Sequence, residues 1–199
     1  MNDIKLFDKW DTTGITVQDP GLIKYVNLRP IVVPRTGGRN VGTQFWKSKY
    51  HVVERLINKI MIPGHKGKKH KTSSGRCSGK GTTAYQIVED TFDLIEKQTK
   101  SNPVEIFVRA IENAAPREEI TTIEYGGARY PKAVEMAPQR RVDYALRLMT
   151  QGAYQASFGK KKSIVDALAN EIIKANKMDQ TSAAISKKLE LERQADASR

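Results

Sequence analysis

Arginines and lysines placed where acids are absent are the chemistry-bearing residues of this 199-residue chain. Residues 29–49 carry Arg29, Arg35, Arg39, Lys47 and Lys49 with no acid among them. Residues 66–80 carry Lys66, Lys68, Lys69, Lys71, Arg76 and Lys80, again with none. A merely solvated surface intersperses both signs. Acid-free runs punctuated by Gly, Pro and Ser read instead as arms that become ordered on a polyanion. Arg140 and Arg141 follow Pro138, which suits the first turn of a helix. Two cations there oppose the helix dipole unless an anion is near. A guanidinium forks two donors onto phosphate oxygens or stacks on a base, so the chemistry on offer is phosphate recognition. The formal net charge of +12 points the same way. Lys160, Lys161 and Lys162 read equally well as a solvated turn or as a further phosphate contact.

Other chemistries fail on spacing. The stretch Gly75-Arg76-Cys77-Ser78-Gly79-Lys80-Gly81-Thr82 looks superficially like a phosphate-binding P-loop. Only three residues separate its outer glycines, Gly81 displaces the hydroxyl residue after Lys80, and a helix rather than a strand precedes it. His65, His70 and Cys77 lack a paired ligand motif, so no metal is expected. No Ser/His/Asp or Cys/His set has local context, so neither catalysis nor a cofactor is expected. A single cysteine forms no internal disulfide, which suits a reducing compartment. The longest uncharged apolar run is far short of a membrane span, and Asp3, Asp8 and Asp11 interrupt any leader pattern. The expectation is a cytoplasmic protein with no membrane partner and no homo-oligomer.

The elements that must position these cations are mostly helical. Val53, Leu56, Ile57 and Ile60 share a face of a helix over 49–61, with Glu54, Arg55 and Asn58 mostly opposite. A second helix starts at a capping box, Thr83-x-x-Gln86, and buries Ile87, Val88, Phe92 and Ile95. A third has Asn102 as cap and Pro103 at its first position, and aligns Val104, Phe107, Val108 and Ile111. A fourth over 138–154 aligns Val142, Ala145, Leu146, Met149 and Ala153, a fifth from Ser163 aligns Leu168, Ala169 and Ile172, and a polar sixth begins near Ser182. Between the third and fourth lies period-two alternation broken by Gly126-Gly127, which supplies the positive φ a tight hairpin turn needs. The fold class is therefore mainly α: a bundle of about six helices with one protruding β-hairpin arm (about 119–137). An N-terminal extension and basic arm (1–48) precedes a helical domain (49–199), with Phe7, Trp10, Ile15, Val17, Leu22, Ile23 and Tyr25 as anchors. An isolated hairpin is marginal in water, so this arm leans on a partner. Tyr125 and Tyr130 flank its turn, where they can stack on a base or pack across the strands.

Several segments carry a family resemblance. Tyr125-Gly126-Gly127-Ala128-Arg129-Tyr130 with Val134-Glu135-Met136-x-Pro138-x-Arg140-Arg141 resembles the most distinctive region of the small-subunit ribosomal protein seven family, in its archaeal and eukaryotic form. Asn102-Pro103-x-Glu105-x-Phe107-x-x-Ala110-Ile111-x-Asn113, Ala167-Leu168-Ala169-Asn170-Glu171-Ile172, Lys187-Lys188-x-x-x-Leu191-Glu192-Arg193 and Leu6-Phe7-x-x-Trp10 extend the likeness over nearly the whole chain. The resemblance implies a constituent of the small ribosomal subunit that binds the 3′ major domain of small-subunit rRNA and organises assembly of the head. It also implies neighbouring proteins of the head and platform as partners, and a hairpin (Tyr125 to Tyr130, with Lys132) that reaches exit-site tRNA and messenger RNA. Ala137 departs from the hydroxyl residue the family often places before the proline, which leaves that helix start without a side-chain cap. Helices with a basic ribbon also suit an architectural DNA-binding protein, although Gly126-Gly127-Ala128-Arg129 provides no apolar wedge.

Overall fold

In the computed structural model, which describes residues 4–39, 41–63 and 79–199, six helices and one two-stranded ribbon form in the order the sequence implies. A 3₁₀ turn at Trp46–Lys49 precedes α1 (Val52–Met61), α2 (Gly81–Thr99) and α3 (Pro103–Ala114). The antiparallel strands β1 (Glu118–Tyr125) and β2 (Ala128–Glu135) follow, then α4 (Pro138–Ser157), α5 (Ile164–Asn176) and α6 (Ala183–Ala197). Asn102 accepts from the Val104 amide and Ser163 from the Val165 amide, so both expected caps form. The capping box at Thr83 does not. α2 starts three residues earlier with Lys80 as its N-cap, and Gln86 bonds Asp90 one turn on instead.

Helix α5 sits centrally, packed against α2, α3 and α4, and its Leu168, Ala169 and Ile172 are fully buried. α4 meets α6 at close range. A Cβ on Gly152 would lie 2.8 Å from that of Ala183, so only glycine allows this approach. Ser182 caps α6 and also donates to buried Glu171 at 2.7 Å, which fixes the α5–α6 corner.

The N-terminal extension is strapped across the bundle. Phe7 and Trp10 insert edge-on against Phe92, and Leu6 and Leu22 are fully buried. Trp10 Nε1 donates to Glu96 at 3.0 Å, Asn102 Nδ2 to the Asp11 carbonyl at 2.7 Å, and Lys9 pairs with Glu89 and Asp93. Ile23, expected as an anchor, is exposed because the turn at residues 19–25 directs Leu22 inward instead. The strap also corrects the reading of α1. Glu54 and Arg55 are buried, since chain from the extension covers that face. Glu54 accepts from the Thr36 amide and hydroxyl at 2.9 and 2.7 Å, while Arg55 donates to the Tyr25 carbonyl and to Asp143. The first acid-free run is thus tied down by Thr36–Glu54, Lys47–Asp143 and Ser48–Gln139 rather than left as a free arm.

His51 caps α1 by accepting from the Val53 amide through Nδ1, and burial lowers its pKa from 6.5 to about 4. The neutral ring is the native form, so the stability it lends is present above pH 6.5 and is lost as pH falls towards 4. Lowering the pH from 7 to 5 should cost about 1 to 2 kcal/mol through this one group. His51→Asn keeps a capping side chain but cannot titrate. Urea midpoints at the two pH values should converge in that variant, and an unchanged acid sensitivity would assign the effect elsewhere.

Candidate nucleic-acid interface

The ribbon projects as expected. Every residue from 121 to 130 is exposed, with Tyr125 at 83% and Tyr130 at 58%. Gly126 and Gly127 turn with φ of 59° and 81°, and the register pairs Tyr125 with Ala128, Glu124 with Arg129 and Ile123 with Tyr130. Period two then puts Tyr125, Tyr130 and Lys132 on one face. Arg129, on the other, makes an exposed ion pair with Glu124 at 3.3 Å. Such a pair contributes little in water and is readily exchanged for a phosphate. The base of the ribbon rests on α6, where Glu118 pairs with Arg199 and the Arg117 amide donates to Glu192.

At that base the two consecutive arginines part company. Arg140 is exposed and pairs with Glu119 of β1 at 2.8 Å; that hydrogen bond raises its pKa. Arg141, expected beside it on the surface, lies inside. It is 8% exposed, donates through Nε to the Pro116 carbonyl at 3.0 Å and pairs with Asp19 at 2.6 Å. Burial would raise the Asp19 pKa, but the Arg141 hydrogen bond and charge, with the Gly21 amide, hold it below the usual carboxylate range. Arg141 therefore fastens the N-terminal strap to the hairpin base. Ala137 makes no side-chain cap, as its residue type requires.

A cationic, aromatic face extends from Arg140 across α4 and α1. Arg147 lies over the Tyr144 ring at 4.7 Å, and Lys49 over the Trp46 ring at 4.1 Å. Asp143 sits at the centre, bridging Lys47 and Arg55. Burial alone would raise its pKa; the two cations outweigh that and lower it. Burial depresses the Lys59 pKa, aided by the charges of Lys47, Arg147 and Arg55 and opposed by Asp143. Trp46, Lys59, Tyr144 and Arg147 escaped the sequence reading. Arg140, Tyr144 and Arg147 recur at helical spacing opposite the apolar stripe, which is the signal that would have found them. Arg35, Arg39 and Lys80 are exposed, as are Lys160, Lys161 and Lys162 in the α4–α5 connection. Lys66, Lys68, Lys69, Lys71 and Arg76, with His65, His70 and Cys77, lie outside the described residues. No group of three or more His, Cys, Asp or Glu side chains among the described residues is arranged to hold a metal, and no described helix is long and apolar enough to cross a membrane.

The described residues form a helix bundle with a cationic, aromatic face and an exposed ribbon of mixed charge, an arrangement that suits contact with a folded polyanion. A family model described as ribosomal protein S7p/S5e matches residues 24–199. The chain is 54% identical over 196 residues to the small ribosomal subunit protein uS7 of Nanoarchaeum equitans, covering 98% of this chain and 99% of that one. Identity to the uS7 protein of Methanosphaera stadtmanae is 52% over 189 residues, and to that of Methanothermobacter thermautotrophicus 50% over 188, each spanning about 95% of both chains. The chain belongs to the ribosomal protein S7p/S5e family, a family of structural proteins of the small ribosomal subunit rather than of enzymes.

Proposed function

We propose that the chain works in the cytoplasmic ribosome as an rRNA-binding constituent of the small-subunit head, where it organises the 3′ major domain during assembly. Neighbouring head and platform proteins complete its surroundings, and the ribbon tip lies near exit-site tRNA and messenger RNA. The observation that carries this reading is the continuity of the cationic face on α1 and α4 with a ribbon whose outer half is exposed at every position among the described residues. A-form RNA hides its base edges, so recognition falls to phosphates, shape and stacked unpaired bases. Arginines, lysines and exposed aromatics on a rigid bundle suit all three.

The two parts have separable tasks. Eight-residue strands carry the tip about 25 Å from the base, far enough to reach beyond the primary rRNA site. Removing Gly126 through Tyr130 and closing the strands with a two-residue turn should leave subunit assembly near normal while disturbing tRNA retention or reading-frame maintenance. Reporter assays for frameshifting and sedimentation of the subunits read the two outcomes separately. Loss of rRNA binding on tip removal would overturn this division of labour.

A further inference from the structure

The α4–α5 corner carries a groove that the rRNA face on α1 and α4 does not use. A cavity of about 330 Å³ opens between the end of α1, the start of α2, the end of α4 and the start of α5. Its walls are Ile60, Met61, Ile87 and Ile164, and Lys80 is the one charged residue among the described residues that line it. Phe158 and Tyr154 also line it. Phe158 is 45% exposed and stacks on Tyr154 of α4, with ring centroids 5.3 Å apart at 28°. Lys160, Lys161 and Lys162 occupy the short connection between Phe158 and Ile164, all exposed. The start of α2 also lines the cavity: it begins at Lys80 with no side-chain cap and no acid in its first turn among the described residues, so its dipole and first-turn amides favour an anion.

An apolar slot lined in part by a stacked aromatic pair fits a base; a lysine at a helix start without a side-chain cap fits a phosphate. One groove offering both matches the two halves of a nucleotide unit. Three further lysines beside it suit the phosphates of a continuing strand rather than a free nucleotide. We propose that this groove takes one unpaired nucleotide of an RNA strand, with the base against Phe158 and the phosphate at the start of α2 beside Lys80. The inference rests on the reading of the chain as an rRNA-binding protein and gives it a second, stacking contact site.

The test is filter binding of the full-length chain to a transcript of the small-subunit rRNA head domain. Phe158→Ala should lower affinity about tenfold at fixed salt and leave the salt slope unchanged, with Phe158→Tyr restoring binding. Lys80→Ala should instead reduce the slope by about one. If the wild-type chain binds with a steep slope and Phe158→Ala binds equally well, the groove assignment falls while the rRNA-binding reading stands. A wild-type chain with no salt-dependent binding would remove both. Phe158→p-benzoylphenylalanine in assembled subunits decides the occupant: a cross-link to rRNA supports the proposal, and a cross-link to protein, or none, overturns it.

Discussion

Replacing Arg141 with alanine should destabilise the fold by about 3 kcal/mol, near the low end for one partner of a buried ion pair because Asp19 keeps some exposure. The variant strands a carboxylate whose pKa is held down by that arginine, and it leaves the Pro116 carbonyl without its donor. The expected readout is a large fall in the urea midpoint at pH 7, with protease sensitivity appearing first in the N-terminal strap. Arg140→Ala, one residue away, should change the midpoint by less than about 1 kcal/mol, since it removes only an exposed pair with Glu119. The double variant Asp19→Leu with Arg141→Met should recover much of the loss, because two apolar side chains leave no charge unpaired. Equal melting of Arg140→Ala and Arg141→Ala would mean that the strap is not fastened there. Any rRNA-binding deficit of Arg141→Ala is therefore to be read against its stability before it is read as a lost contact.

The same pair shows where the sequence is legible and where it is not. Consecutive helical residues point about 100° apart, so two adjacent arginines cannot share one environment. Arg141 falls in line with Ala145 and Leu148, both buried, which would have placed it inward. Its charge type outweighed its spacing in the reading because its partner, Asp19, lies 122 residues away in a segment with no helical period. Glu54 and Arg55 escaped for the same reason: the strap that covers them meets α1 through two hydrogen bonds from Thr36 to Glu54 and one from Arg55 to the Tyr25 carbonyl, which leave no periodic signature. The hairpin was legible to the residue at its turn, since Gly126-Gly127 and strict alternation are local rules. The helix cores were legible for the same reason, and the missed start of α2 is a local rule that a different local bond, Gln86 to Asp90, displaced. The cationic face of α1 and α4 was half visible: acid-free runs gave Lys47 and Lys49, but the aromatic residues Trp46 and Tyr144, which stack under Lys49 and Arg147, carry no charge signal of their own.

The largest effect of all should be that of salt on rRNA binding. Arg140, Arg147, Lys47, Lys49 and Lys59 line the proposed face, and the lysines of the α4–α5 corner stand apart from it. If these and the basic residues outside the described region together neutralise about six to ten phosphates, raising the salt from about 50 to 200 mM should weaken binding by about three to five orders of magnitude. The ion pairs with Glu119, Glu124 and Asp143 work against the steepest slope, because part of each cation's charge is already compensated. Arg140→Ala and Arg147→Ala should each flatten the slope by about one without lowering the stability appreciably.

Filter binding to the head-domain transcript across a salt series, with duplex DNA of equal length as competitor, tests the central claim most directly. The account expects a steep logarithmic slope, flattened stepwise by Arg140→Ala and Arg147→Ala, and a clear preference for the folded RNA over the duplex. A flat titration, or equal affinity for the DNA, would contradict it.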